Sequence, residues 1–324
     1  MRFRTFGRTG WNVSEIGFGA WQIGGGWGKV DDAQSVDTLL YAFEKGVNFV
    51  DTAELYGSGH SETVIGWALR QWKGGKIYVA TKAQPTEWPD PDDNNPLMNG
   101  RYPAQHLRRN VEQSLKRLGV ERLDLFQLHC WMSDGLSSLD WLEALNDLRR
   151  EGKIDHVGVS LRDNRPEEGT ALARSGLADS IQVVFNMFDQ RPAGALFKAG
   201  EETNTAFIAR VPLDSGALTG QWTPESYAKF EPGSQPHSMF RGGRFGETLA
   251  RVEKLKAICK PYYPTLAEAA MRYVLSAPQV SVVTPGMKNR AEVDMNIVCS
   301  DGAAFPAELA VQLPAHIWLR NYYH

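Results

Sequence analysis

Four side chains that can move or stabilise a proton stand at the ends of short β-branched runs. Asp51 closes Val47-Asn-Phe-Val-Asp51, and Tyr56 follows in Thr52-Ala-Glu-Leu-Tyr56-Gly57. Lys82 closes Ile77-Tyr-Val-Ala-Thr-Lys82, and His129 closes Leu123-Asp-Leu-Phe-Gln-Leu-His129. Taken singly, each is ordinary: a strand-end lysine is usually a surface charge, and Asp-Thr-Ala can cap a helix. Together, at the same end of consecutive strands, they form a group with a chemistry. A carbonyl that accepts hydride develops negative charge on oxygen and needs a proton donor there. A phenol alone, with a reference pKa of about 10, is too weak. A lysine ammonium beside it favours the phenolate and lowers that pKa, which would make Tyr56 usable in both directions. Asp51 supplies the counter-ion that a partly buried Lys82 requires, and His129 is placed to orient the carbonyl.

For these residues to converge, the runs must lie side by side. Strands are expected at Glu15–Ala20, Val47–Thr52, Ile77–Lys82, Leu123–His129, Ile154–Ser160, Ser180–Asn186, Ala206–Pro212 and Val280–Pro285. Each is short enough, and apolar enough, for a strand buried on both faces. Helical spacing of apolar residues separates several of them, as in Asp32–Glu44, Pro103–Leu118 and Leu139–Arg150. Eight strands alternating with helices predict one closed (β/α)8 barrel, a single domain over residues 1–324. Arg4–Val13 reads as a β-hairpin placed to plug the barrel's bottom. Two long stretches, Ala83–Arg101 and Gln221–Phe245, follow strands and belong on the C-terminal face, where barrel enzymes place substrate loops. Trp21, Trp88 and Trp131 fall just beyond strand ends, positions from which they would line an aromatic substrate pocket.

The bulk numbers narrow the partners. A net charge of -3 over 324 residues gives no electrostatic reason to expect nucleic acid or an anionic membrane. The first residues lack the apolar core of a signal peptide, and no apolar run is long enough to span a bilayer. Cys130, Cys259 and Cys299 are odd in number and far apart, the pattern of reduced thiols, so a cytoplasmic location is expected. The histidines at 60, 106, 129, 156, 237, 316 and 324 form no metal-ligand cluster, which argues against a metal-dependent barrel hydrolase. Gly24-Gly-Gly-Trp-Gly28 matches neither the dinucleotide nor the phosphate-loop glycine pattern. Monomer and homo-oligomer both remain open.

At these residues the sequence resembles the aldo-keto reductase superfamily, in particular its bacterial branch related to potassium channel β subunits. The likeness runs through Gly7–Gly10, Val13–Gly19, Asp51–Gly57, Gly59–Glu62, Val79–Lys82, Ser114–Leu118, Leu123–His129, Gly158–Ser160, Arg210–Gly220 and Thr284–Gly286. It implies Tyr56 as proton donor, Lys82 and Asp51 as its supporting pair, and His129 as the carbonyl-orienting group. It implies an NAD(P)H-dependent reduction of an aldehyde or ketone, or oxidation of an alcohol or sugar; the alternative is a cofactor-binding regulatory subunit with slow turnover. The nicotinamide end would meet Ala20, Trp21, Asp51, Ser160, Gln182 and Arg210. Pro212, Leu213, Ser215, Gly216, Leu218 and Gly220 would wrap the pyrophosphate. Pro285, Gly286, Lys288, Arg290, Glu292 and Asn296 would hold the adenosine, with a helix N-terminus just after Gly286. The substrate would meet Trp21, Tyr56, Trp88, His129 and Trp131. Three residues depart from the family pattern: Leu161 where Asn is usual, Arg210 where an aromatic ring often stacks, and Glu292 where Gln or Arg is common. A guanidinium plane can also stack. Lys288 and Arg290 place NADP(H) first and NAD(H) second, although an acid at Glu292 would repel a 2′-phosphate.

Overall fold

The computed structural model describes residues 1–320; of the histidines named above, His324 lies outside them. Strands β1 (Phe3–Thr5) and β2 (Asn12–Ser14) pair antiparallel as the expected hairpin. Eight further strands follow: β3 (Phe18–Gly19), β4 (Phe49–Asp51), β5 (Tyr78–Ala83), β6 (Leu123–Trp131), β7 (Ile154–Leu161), β8 (Ser180–Val184), β9 (Ala206–Arg210) and β10 (Val280–Thr284). They form one parallel sheet in chain order, each bonded to the next. Parallel bridges Ile16↔Val283 and Gly19↔Gly286 bring the first strand against the last, making the (β/α)8 barrel. Closure there requires glycine, because a Cβ on Gly19 would stand 2.6 Å from the Thr284 carbonyl oxygen.

The helices follow the expected spacing. Asp32–Glu44 opens on Asp31, whose side chain accepts from the Gln34 amide. Ala104–Leu118 buries Leu107, Val111 and Leu118 and ends on Gly119 at φ 70°. Such helices pack their apolar stripe on the outside of the sheet, leaving the other strand face to the barrel interior.

That interior is layered. Phe49, Ala80, Leu125, Ile208 and Val282 form one cluster with Phe6 and Val13 of the hairpin, so the plug fills the bottom. Side chains alternate along a strand, so the residues two positions on face inward again, one layer higher. Those are Asp51, Lys82, Gln127, Arg210 and Thr284. An apolar floor therefore carries a polar layer at the C-terminal mouth. The plug also stacks Trp11 on Tyr78 at 4.5 Å between ring centroids. Because Phe6 is fully buried, Phe6→Ala is expected to cost about 3–5 kcal/mol of stability. Chemical denaturation of the variant checks this, and a loss below about 1 kcal/mol would show that the plug is not part of the core.

Candidate active site

The polar layer opens into a cleft of about 1480 Å³ at the C-terminal mouth. At its base Lys82 is fully buried. Its ammonium donates to Asp51 Oδ1 at 2.8 Å, Asp51 Oδ2 at 2.9 Å and the Thr52 carbonyl at 2.7 Å, and reaches the Tyr56 hydroxyl at 3.5 Å. Burial pulls the Lys82 ammonium below the ordinary lysine range, and the Asp51 carboxylate opposes that pull. Gln127, two residues before His129 on the same strand, extends its amide to Asp51 Oδ1 at 3.4 Å. Tyr56 sits on the turn between β4 and the helix His60–Gln71. Glu54 ties that turn to β5: its amide donates to the Lys82 carbonyl at 3.3 Å, and its carboxylate accepts from the Gln84 amide at 3.2 Å. Partial burial raises the Glu54 carboxyl above the usual carboxylate range.

The His129 and Tyr56 rings meet edge to face at 5.8 Å, and Trp88 meets His129 at 5.5 Å. Trp21 stacks on Tyr56 at 6.1 Å. Burial holds the His129 imidazole well below its ordinary 6.5, reinforced by the Lys82 and Arg210 cations. A neutral imidazole is thus the form present near neutrality, able to donate one N–H without adding a second cation. Its Nδ1 has no hydrogen-bond partner among the described residues.

The residues around the rim fall into two sets. Ala20, Trp21, Trp88, Arg210, Pro212, Leu213, Ser215, Gly216, Pro285, Gly286, Lys288, Glu292 and Asn296 all line the cleft, as do Asp51, Tyr56 and His129. Ser160 and Gln182 are direct partners in the β7–β8 register and are buried. Neither amide atom of Gln182 has a hydrogen-bond partner among the described residues. Trp131, Leu218, Gly220 and Arg290 do not line the cleft, and the expected helix start is displaced. Trp131 is 1% exposed and packs edge-on against Trp141. Alternation from His129 would turn it inward, but the β6–β7 register shifts between Leu128 and Trp131, and the irregularity sends the indole into the outer core. The Leu218 side chain is buried in the core beneath the 213–220 loop, leaving only its backbone to the loop, and a Cβ on Gly220 would meet Leu266 and Lys256. Arg290 points away from the cleft, paired with Asp37 and lying over the Tyr41 ring. The expected helix N-terminus comes later than Gly286: that helix starts at Arg290, capped by Asn289, and Glu292 reaches back to accept from the Lys288 amide at 2.8 Å.

Pattern reading missed Gln127, buried beneath the cleft, and several residues that line it. Gln127 carried a usable signal, the two-residue alternation ending at His129. Asp163 pairs with Arg210, fixing the guanidinium that stands in the place of a ring. Asp163, Asp189 and Arg320 line the cleft from loops and from the C-terminal segment, and no local pattern marks them.

Could the cleft take a nicotinamide dinucleotide? Asp214, Ser215 and Gly216 have φ of 49°, 55° and 98°, and Val211 has 56°. The Asp214 and Gly216 amides already donate to the Val211 and Leu213 carbonyls, so what the turn offers at the cleft wall is the Ser215–Gly216 backbone, where glycine permits a phosphate to approach closely. The unpartnered Gln182 amide offers one donor and one acceptor, the complement of a carboxamide. The residues present fit such a group.

A family model described as the aldo/keto reductase family matches residues 15–308. The chain belongs to that family. It is thereby a member of a family of oxidoreductases, and the resemblance read from its motifs holds. The chain is 28% identical over 297 residues to an aldo-keto reductase, YhdN, of Bacillus subtilis, covering 91% of this chain and 87% of that one. It is 28% identical over 312 residues to a probable voltage-gated potassium channel subunit β of Arabidopsis thaliana, covering 93% and 92%. The structure of the glycerol dehydrogenase AKR11B4 from Gluconobacter oxydans superposes with a TM-score of 0.74 at 28% identity, covering 94% of this chain and 92% of that one. Among the described residues of this aldo/keto reductase, no group of three or more His, Cys, Asp or Glu side chains is placed to hold a metal ion, and no helix is long and apolar enough to cross a membrane.

The depressed His129 pKa has a consequence for stability. The folded state keeps the ring neutral, while the unfolded chain protonates it near 6.5. Its contribution is therefore present above that pH and is lost as pH falls below it. Between about pH 7 and pH 5 the melting temperature of the wild type is expected to fall more than that of His129→Gln. Thermal melts across that range check this, and parallel declines would contradict it.

Proposed function

We propose that this aldo/keto reductase reduces an aldehyde or ketone, or oxidises the matching alcohol or sugar, with Tyr56 exchanging the proton. The observation that carries the reading is the buried Lys82 ammonium, held by Asp51 and reaching the Tyr56 hydroxyl at 3.5 Å. When bound, a nicotinamide dinucleotide supplies or accepts the hydride. Tyr56 Oη gives its proton to the developing alkoxide, and Lys82 stabilises the phenolate left behind. In the reverse direction the same phenolate takes the proton back. Neutral His129 donates a hydrogen bond that fixes the carbonyl oxygen beside Tyr56. Trp21 and Trp88 stand on either side as apolar faces for an aromatic ring, an aliphatic chain or the flat side of a sugar. Ser160 and Gln182 hold the carboxamide, the Val211–Gly216 turn takes the pyrophosphate, and Asn296 takes the adenine.

For the second phosphate one feature of the cleft wall weighs toward NAD(H), against the NADP(H) placed first from the sequence. Of the two basic residues that supported NADP(H), Lys288 lines the cleft together with Glu292, whereas Arg290 pairs with Asp37 outside it. An acid on that wall repels a 2′-phosphate. The three cysteines are free and buried, with burial pushing Cys130 and Cys299 up to about 12. Inert thiols fit the reducing cytoplasm we assign. The likeness to a channel β subunit keeps a slowly turning regulatory role as the second reading; the complete Asp51–Tyr56–Lys82–His129 group favours turnover.

Turnover of 4-nitrobenzaldehyde, followed by NADH absorbance, tests the assignment. Tyr56→Phe is expected to lower kcat at least about 100-fold while leaving NADH binding nearly unchanged. Full activity in that variant would remove Tyr56 from its role. Glu292→Gln is expected to raise the kcat/KM ratio for NADPH over NADH by roughly 5- to 10-fold, the scale of one charge pair about 4 Å apart in a water-like dielectric. An unchanged ratio would defeat the electrostatic explanation.

A further inference from the structure

Past the turn Leu313–His316 the chain runs along the cleft, and Trp318, Leu319 and Arg320 form part of its wall. This segment is anchored. The Trp318 amide donates to the Phe188 carbonyl at 2.9 Å, and its indole meets the Phe188 ring edge-on at 5.5 Å. The Arg320 guanidinium lies 4.0 Å from the Trp318 ring centroid and 5.0 Å from that of Phe188. Held between those rings, it forms an ion pair with Asp214. Both side chains are largely shielded, at 11% and 5% exposed.

Asp214 is an odd residue to find there. It opens the positive-φ turn Asp214–Gly216, which lines the cleft where the pyrophosphate is assigned. A nearly buried carboxylate on the same turn opposes a dianionic pyrophosphate, because like charges repel strongly where water is excluded. The opposition disappears if the carboxylate is neutralised. A guanidinium is always charged and matches a carboxylate fork.

We propose that Arg320 is a cofactor-binding determinant: the C-terminal segment delivers it onto Asp214, and neutralising that acid makes the pyrophosphate turn receptive. The barrel thus builds an incomplete anion site, and a residue 106 positions further along the chain completes it. Arg320 acts on the dinucleotide through Asp214 and takes no part in proton exchange. This inference rests on the reading that the cleft binds a nicotinamide dinucleotide.

Calorimetric titration with NADH tests it on the full chain as wild type, Arg320→Ala, Arg320→Lys, Asp214→Asn and the Asp214→Asn/Arg320→Ala double variant. Arg320→Ala is expected to weaken binding at least about 30-fold, the lower end of the effect of removing one partner of a buried charge pair. Arg320→Lys is expected to recover much of the loss. Asp214→Asn alone should bind at least as tightly as wild type, a measurement that stands even if Arg320→Ala folds poorly. The double variant should return to within a few-fold of wild type. Unchanged affinity in Arg320→Ala, a double variant as weak as Arg320→Ala, or a tenfold weaker Asp214→Asn would each overturn the inference while leaving the cofactor reading intact. Absence of NADH and NADPH binding by the wild type would overturn the cofactor reading and this inference with it.

Discussion

A lysine ammonium cannot be buried without partners, and the mouth of this barrel is organised around that constraint. Lys82 is fully enclosed, and moving such a charge out of water costs several kcal/mol unless opposite charge and hydrogen bonds replace the lost hydration. Asp51 supplies the charge, and with the Thr52 carbonyl it satisfies the ammonium's donors. This works because β4 and β5 are in register, Asp51 opposite Ala80, so that Lys82 rises just above its counter-ion. The direction left over faces the Tyr56 hydroxyl. An interaction that the fold needs for electrostatic neutrality thereby also sets a cation beside the Tyr56 hydroxyl.

The same geometry explains the separation of stability from chemistry along the barrel axis. Each inward strand position is apolar near the hairpin plug and polar two residues later, at Phe49 and Asp51, Ala80 and Lys82, Leu125 and Gln127. The lower layer excludes water and holds the strands; the upper layer inherits their rigidity. A site built on strand ends is positioned more firmly than one built on loops. Loops then supply what varies. Trp88 arrives on the stretch after β5 and meets His129, while the Asp214–Gly216 turn after β9 shapes a different part of the cleft.

Charges around the rim are arranged in pairs, and pairing decides which of them act on a ligand. Arg210 is tied to Asp163, Arg290 to Asp37 and Arg320 to Asp214. A count of basic residues in the sequence treats them alike. In the fold, Arg290 pairs with Asp37 outside the cleft, whereas Lys288 and Glu292 line it, and Glu292 also closes the start of a helix through the Lys288 amide. Burial adds to this by keeping His129 neutral among neighbouring cations.

The eight strands, the plug and the convergence of Asp51, Tyr56, Lys82 and His129 were legible in the sequence, because each rests on a local rule: apolar runs of strand length, alternation by two, and polar residues where a run ends. Gln127 obeys the same rule and was recoverable from it. Other features depend on contacts between distant segments, which no local rule encodes. The register shift in β6 that turns Trp131 outward arises where two strands meet. The capture of Arg290 by Asp37 joins residues 253 positions apart, and the placement of Arg320 on Asp214 joins the last described residue to the middle of the chain. Periodicity fixes which way a side chain points within its own element; only tertiary packing fixes what it finds there.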